Sequence, residues 1–101
     1  MMTIEQQMND IINKYFVSKK QFNLIRFSNG EDDYTNPYYV YYRNIEIAFS
    51  KLNEVEKLII NNDYFLNDYY GWWELLFSKK TYLKNKKQAV KKFLRLVYET
   101  C

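Results

Sequence analysis

Eight basic side chains crowd into Ser78–Glu99: Lys79, Lys80, Lys84, Lys86, Lys87, Lys91, Lys92 and Arg95, with no acid before Glu99. An apolar set runs through the same residues: Tyr82, Leu83, Ala89, Val90, Phe93, Leu94, Leu96 and Val97. The two sets interleave at helical spacing. One face of such a helix can be buried while the other offers ammonium groups to something anionic. That is binding chemistry rather than bond-making chemistry. The chain has no histidine, which removes the commonest general base, the commonest zinc ligand and the Ser–His and Cys–His nucleophiles. It has no glycine-rich phosphate loop. The carboxylate pairs Glu54/Glu56 and Asp32/Asp33 read as helix N-terminal charges and as loop solvation. The expectation is a protein that is not an enzyme, with no catalytic residue, no metal and no cofactor.

The charge is sharply divided. Residues 1–74 carry −4 and residues 75–101 carry +7. A polarity of this kind points to an anionic partner for the C-terminal end, nucleic acid first and an anionic membrane surface second. The plain alternative is a solvated, lysine-rich helix face. Within the basic stretch, Ser78 can cap the helix with its hydroxyl, and the free N–H groups of the first turn can hold a phosphate. Lys79, Lys80 and Lys84 project from the first two turns, and Lys87 and Lys91 continue the same face. Lysine grips phosphate as a point charge and reads base edges less specifically than the arginine fork. Neutralising about five phosphates gives a log–log salt slope of about −4 to −5.

The elements that position this helix follow from periodicity and capping. Thr3-Ile4-Glu5-Gln6 reads as a capping box opening a helix whose core face is Ile4, Met8, Ile11, Ile12, Tyr15 and Phe16. Ser18-Lys19-Lys20-Gln21 reads as a second capping box that restarts a short helix through Phe22, Leu24, Ile25 and Phe27, with a strand as the rival. Ser28–Asn36, containing Asn29-Gly30 and three consecutive acids, is a loop. Pro37 suits the first position of the next helix, over Tyr38, Tyr41, Tyr42, Ile45, Ala48, Phe49 and Leu52. A strand over Tyr38–Tyr42 is the alternative there. Asn53 with Glu56 caps a third helix with Val55, Leu58, Ile59 and Phe65 inward. Asn67–Tyr70 reads as a turn, and Gly71–Leu76 as one short helical segment with Trp72 and Trp73.

The fold class is therefore all-α, a small multi-helix domain of about five or six helices. The 101 residues are one domain: 1–36 an N-terminal helical part with its acidic loop, 38–99 a second helical part. Nearly half the residues are hydrophobic and a fifth aromatic, which argues for a packed core. The lone Cys101 forms no internal disulfide and fits a reducing compartment. No run reaches the roughly 18 apolar residues of a membrane span, and Met1–Asp10 lacks the basic and apolar regions of a signal peptide. A cytoplasmic protein with no membrane partner is expected. Adjacent aromatics such as Tyr38-Tyr39, Tyr41-Tyr42 and Trp72-Trp73 are mostly core and rim. They do not all fit one core, so a homodimer or docking on another protein is open.

From Ala48 onward the sequence resembles the C-terminal helix-turn-helix of sigma-70-type factors (region four), and more so the phage-type regulators of the autolysin-regulator family. The residues that carry the resemblance are Ala48, Leu52, Glu54, Glu56, Tyr64-Phe65, Ser78-Lys79-Lys80-Thr81-Tyr82, Lys84, Lys86-Lys87, Ala89, Lys91-Lys92 and Phe93. The resemblance implies a C-terminal helix-turn-helix over residues 69–95 and a DNA-binding transcription regulator. Its recognition helix would enter the major groove of double-stranded DNA, with RNA polymerase as a protein partner. It assigns DNA contacts to Ser78, Lys79, Lys80, Thr81, Lys84, Lys87 and Lys91. The sequence departs from the family pattern where Tyr70, Gly71 and Trp72 replace Glu-Ile-Ala, and where Leu76 replaces the turn glycine. Gly71 would allow a close approach that Trp72 fills. These departures keep a second reading open, an all-α protein-interaction module in which the lysine face meets an acidic protein. A third is peripheral membrane binding through Phe93, Leu94 and Leu96.

Overall fold

The computed structural model describes residues 2–29 and 35–100. They form four α-helices and no strand: α1 Ile4–Asn29, α2 Pro37–Ser50, α3 Glu54–Ile60 and α4 Lys79–Thr100. A π-helical stretch, Asn61–Leu66, extends α3. None of these helices is long and apolar enough to cross a membrane.

The helix starts follow the local chemistry. The Gln6 amide N–H donates to Thr3 Oγ1 at 3.1 Å, and the Thr3 N–H donates to Gln6 Oε1 at 2.8 Å, closing the expected capping box. Asn36 caps α2 by accepting from the Tyr38 N–H at 2.8 Å, with Pro37 at the first helical position. Asn53 and Glu56 form a reciprocal box, both bonds 2.8 Å. Ser78 caps α4 by accepting from the Thr81 N–H at 3.2 Å. Each satisfies orphan N–H groups of a first turn with residues three positions apart or closer.

The structure corrects several expectations. Ser18 does not restart a helix: α1 runs unbroken through it, and Ser18 is buried on the face that also carries Met8, Ile11, Ile12, Tyr15 and Phe22. A core face that continues in register overrides a local cap. Ile4 and Phe16, expected inside, are exposed, as are Leu24, Val55 and Leu58. Over Tyr38–Tyr42, by contrast, the expected helix forms and the strand alternative does not. Gly71–Leu76 is a succession of turns rather than a short helix. Its bonds run Glu74 N–H to Gly71 O at 3.1 Å and Leu76 N–H to Trp73 O at 2.9 Å. The acids Glu31, Asp32 and Asp33 lie outside the described residues.

The core is built where α1, α2, α3 and α4 converge. Met8, Ile45, Ile59, Ile60 and Phe93 are its largest fully buried side chains. Tyr15, Phe49 and Phe65 close one end through edge-to-face ring contacts of 5.3 and 5.5 Å. Phe93, Leu94 and Leu96, which a membrane-binding helix would need free, pack in or against this core. The last helix is therefore a core helix along one side and a solvent-facing one along the other.

Candidate nucleic-acid interface

α4 sorts its lysines by side; its one arginine, Arg95, is exposed and pairs with Glu99 at 3.8 Å. Lys80, Lys84, Lys87 and Lys91 follow a spacing of four, three and four residues. They fall within about 60° of one another around the helix axis, in a row about 16 Å long. All four are exposed. Lys79 stands exposed in the first turn, beside Ser78 and Thr81, whose hydroxyls are 2.9 Å apart. Among the described residues no ion pair engages Lys79, Lys80, Lys84, Lys87 or Lys91. The structure thus brings the sequence-expected site residues together at one end and along one outer face of α4.

The remaining lysines of the helix point inward and are paired. Lys86 Nζ is 3.4 Å from Asp63 Oδ2, on a carboxylate only 11% exposed. Lys92 Nζ is 3.1 Å from Glu56 Oε1, which is 13% exposed. These pairs tie α4 to the α3 arm. Lys86 also lies over the rings of Tyr64 and Tyr82, at 5.4 and 5.8 Å from their centroids, so its charge is held by aromatic faces as well.

Asp63 is the anchor that sequence reasoning missed. One of its oxygens accepts from Trp72 Nε1 at 2.8 Å, and the other accepts from the Tyr82 hydroxyl. Trp73 stacks on Tyr82 with centroids 4.5 Å apart and planes 6° from parallel. Trp72 meets Tyr82 and Phe77 edge-on. The two tryptophans therefore pin the connector 67–78 onto the start of α4. Gly71 does not serve a helix crossing: a Cβ there would meet only the Glu74 carboxylate, 3.0 Å away. The signal in the sequence was thin, since Asn61-Asn62-Asp63 reads merely as a weak helix end. What makes Asp63 central is the π-helical stretch, which ends on Asn67 in the left-handed conformation at φ 50°. The connector itself carries exposed apolar side chains, with Leu75 98% and Leu76 60% exposed.

Three tyrosines are locked into carboxylates across the core. Burial is the main cause that raises their pKa values, and the carboxylate partners add to it: Glu46 for Tyr15, Glu5 for Tyr64 and Asp63 for Tyr82. Tyr15 is pushed up to about 12 and the other two are raised further. The folded state therefore holds protons that the unfolded chain releases near pH 10. Stability from these groups is complete below about pH 10 and is lost as pH climbs through about 12 and beyond. Phenolate absorbance measured at about pH 11 should fall short of the full complement of eleven tyrosines and recover it in denaturant. Thermal melts should fall over the same pH interval.

Among the described residues no cluster of carboxylate or thiol ligands could hold a metal ion. Comparison with protein-family models, with curated proteins and with solved structures finds no match, so the interface rests on its own geometry: one helix with a paired inner side and an unpaired cationic outer row.

Proposed function

We propose that the chain is a non-enzymatic, DNA-binding regulator, sigma-region-four-like in plan. In this reading α4 lies in the major groove, and α3 with its π-helical extension stands behind it across the longer connector. The observation that supports it is the sorting of the lysines. Lys86 and Lys92 are neutralised by internal carboxylates, while Lys79, Lys80, Lys84, Lys87 and Lys91 face outward unpaired. A surface field of one sign suits the steering of an oppositely charged partner, and α4 has no acid before Glu99. Ser78 and the first-turn N–H groups add a phosphate seat at the end that would enter the groove. RNA polymerase as a protein partner belongs to the same proposal, as does a homodimer.

A second reading, an all-α protein-interaction module, is favoured by the exposure of Leu75 and Leu76. A salt titration of binding to random-sequence duplex DNA separates the two. The DNA reading expects a log–log slope of about −4 to −5, reduced by about 3 when Lys79, Lys80 and Lys84 are replaced together by Ala. If wild type and variant bind equally poorly at low salt, the DNA reading is lost and the interaction module takes its place.

A further inference from the structure

At the N-terminal end of α4 the connector, α1 and the π-helical stretch enclose a cleft of about 390 Å3. It lies beside the lysine row, and its lining falls into three chemical sets. The aromatic set is Tyr64, Tyr69, Tyr70, Trp73 and Tyr82; the amide set is Asn9, Asn62 and Asn67; the charged set is Glu5 and Asp63 with Lys79 and Lys86; Leu83 completes the wall.

The charged set balances, two carboxylates against two ammonium groups. Most of it is already committed: Glu5 Oε1 accepts from the Tyr64 hydroxyl at 2.6 Å, and Asp63 holds Trp72, Tyr82 and Lys86. A phosphate in the body of the cleft would meet both carboxylates. A neutral, flat, polar-edged ligand carries no charge for them to repel. The amides of Asn9 and Asn67 make no hydrogen bond among the described residues, and each offers donors and an acceptor. Tyr70 is 93% exposed and Trp73 half-buried, so aromatic surface is in place for stacking. Lys79, the one exposed cation of the lining, is also the first residue of α4, one position before the start of the lysine row. The volume falls within the range of small-ligand sites, roughly 300–1,000 Å3.

We propose that this cleft takes a single unpaired nucleobase. The base stacks against Tyr70 and Trp73 and meets the amides of Asn9 and Asn67 with its polar edge, while Lys79 pairs with the adjoining phosphate. The inference rests on the lysine-row reading for the strand that delivers the base. It adds that the preferred ligand has a single-stranded or extruded nucleotide at the N-terminal end of α4. Stacking of bases on aromatic side chains is tolerant of sequence, so any base is accepted.

The test uses the full chain and three probes: a blunt duplex, an oligothymidylate of about ten nucleotides, and an abasic strand of equal length. Affinity is read by anisotropy and base contact by tryptophan emission. Wild type is expected to bind the thymidylate about tenfold tighter than the abasic strand, with quenched emission. Tyr70→Ala removes a ring that supports nothing else, and Asn67→Gly removes the amide while keeping the left-handed backbone that glycine adopts freely. Both variants are expected to lose the preference for the strand with bases and to bind the duplex unchanged. Equal binding of thymidylate and abasic strand without quenching overturns the cleft proposal and leaves the lysine row standing. So does a preference that both variants retain. Failure of wild type to bind any of the three probes overturns both.

Discussion

Replacing Lys80, Lys84, Lys87 and Lys91 together with Gln is expected to lower duplex DNA affinity by roughly several thousandfold near 0.1 M salt and leave the fold untouched. Each phosphate neutralised by one of these residues contributes a slope of about −0.9, or roughly a factor of ten near 0.1 M salt. Four such contacts multiply to between three and four orders of magnitude, roughly several thousandfold, and the slope should shrink to about −1, the share of Lys79. The side chains are exposed and unpaired, so thermal stability should change little, or rise slightly as like charges along one face are removed. The control is the inner pair. Lys86→Gln and Lys92→Gln leave Asp63 and Glu56, both largely buried, without their cation, and should destabilise the fold while preserving most of the salt slope. A variant set in which inner and outer lysines affect DNA binding alike would remove the basis of the proposed function.

Asp63→Ala is expected to destabilise the protein by about 3 kcal/mol, because three donors lose their acceptor at once. Two are hydrogen bonds from neutral donors, the Trp72 indole and the Tyr82 hydroxyl, to the charged carboxylate, each a net contribution of about 1.5 kcal/mol. The third is the ammonium of Lys86, which is left partly buried without a counter-charge. For a domain of this length each kcal/mol moves the melting temperature by about 4–8 °C, so calorimetry should show a drop of about 12–24 °C. Asp63→Asn keeps one acceptor oxygen and should lose about half as much. At temperatures where both variants remain folded, duplex affinity should stay within about twofold of wild type. The reason is that Ala89, Val90, Phe93 and Val97 hold α4 to the core independently of the connector. A melting temperature unchanged by Asp63→Ala would show that the Trp72 and Tyr82 contacts do not organise the connector.

Much of the helical plan was legible because it depends on neighbours. Thr3 with Gln6, Asn53 with Glu56, Pro37 after Asn36, and Ser78 before Thr81 are decided within three residues of chain. The spacing of Lys80, Lys84, Lys87 and Lys91 likewise places them on one face of any α-helix, and Ala89, Val90 and Phe93 on the other. Local signals misled where a longer-range surface outweighed them. The Ser18 cap pattern lost to a core face continuing from Tyr15 to Phe22; over Tyr38–Tyr42 the helical period, not the local strand propensity, prevailed as expected.

The tertiary structure alone decided what joins the pieces. That Lys86 and Lys92 are spent inside, while the lysines beside them are not, depends on carboxylates at positions 63 and 56, far away in the chain. Neither partner is marked by any periodicity. The cleft is assembled from α1, the π-helical turn, the connector and the first turns of α4; Asn67 opens the connector in the left-handed conformation, and Asp63 holds Trp72 and Tyr82. Caps and helix faces are set by short-range hydrogen bonding and by a repeat of 3.6 residues. Pairings and cavities are set by which surfaces meet, and that is a property of the packed chain rather than of any segment of it.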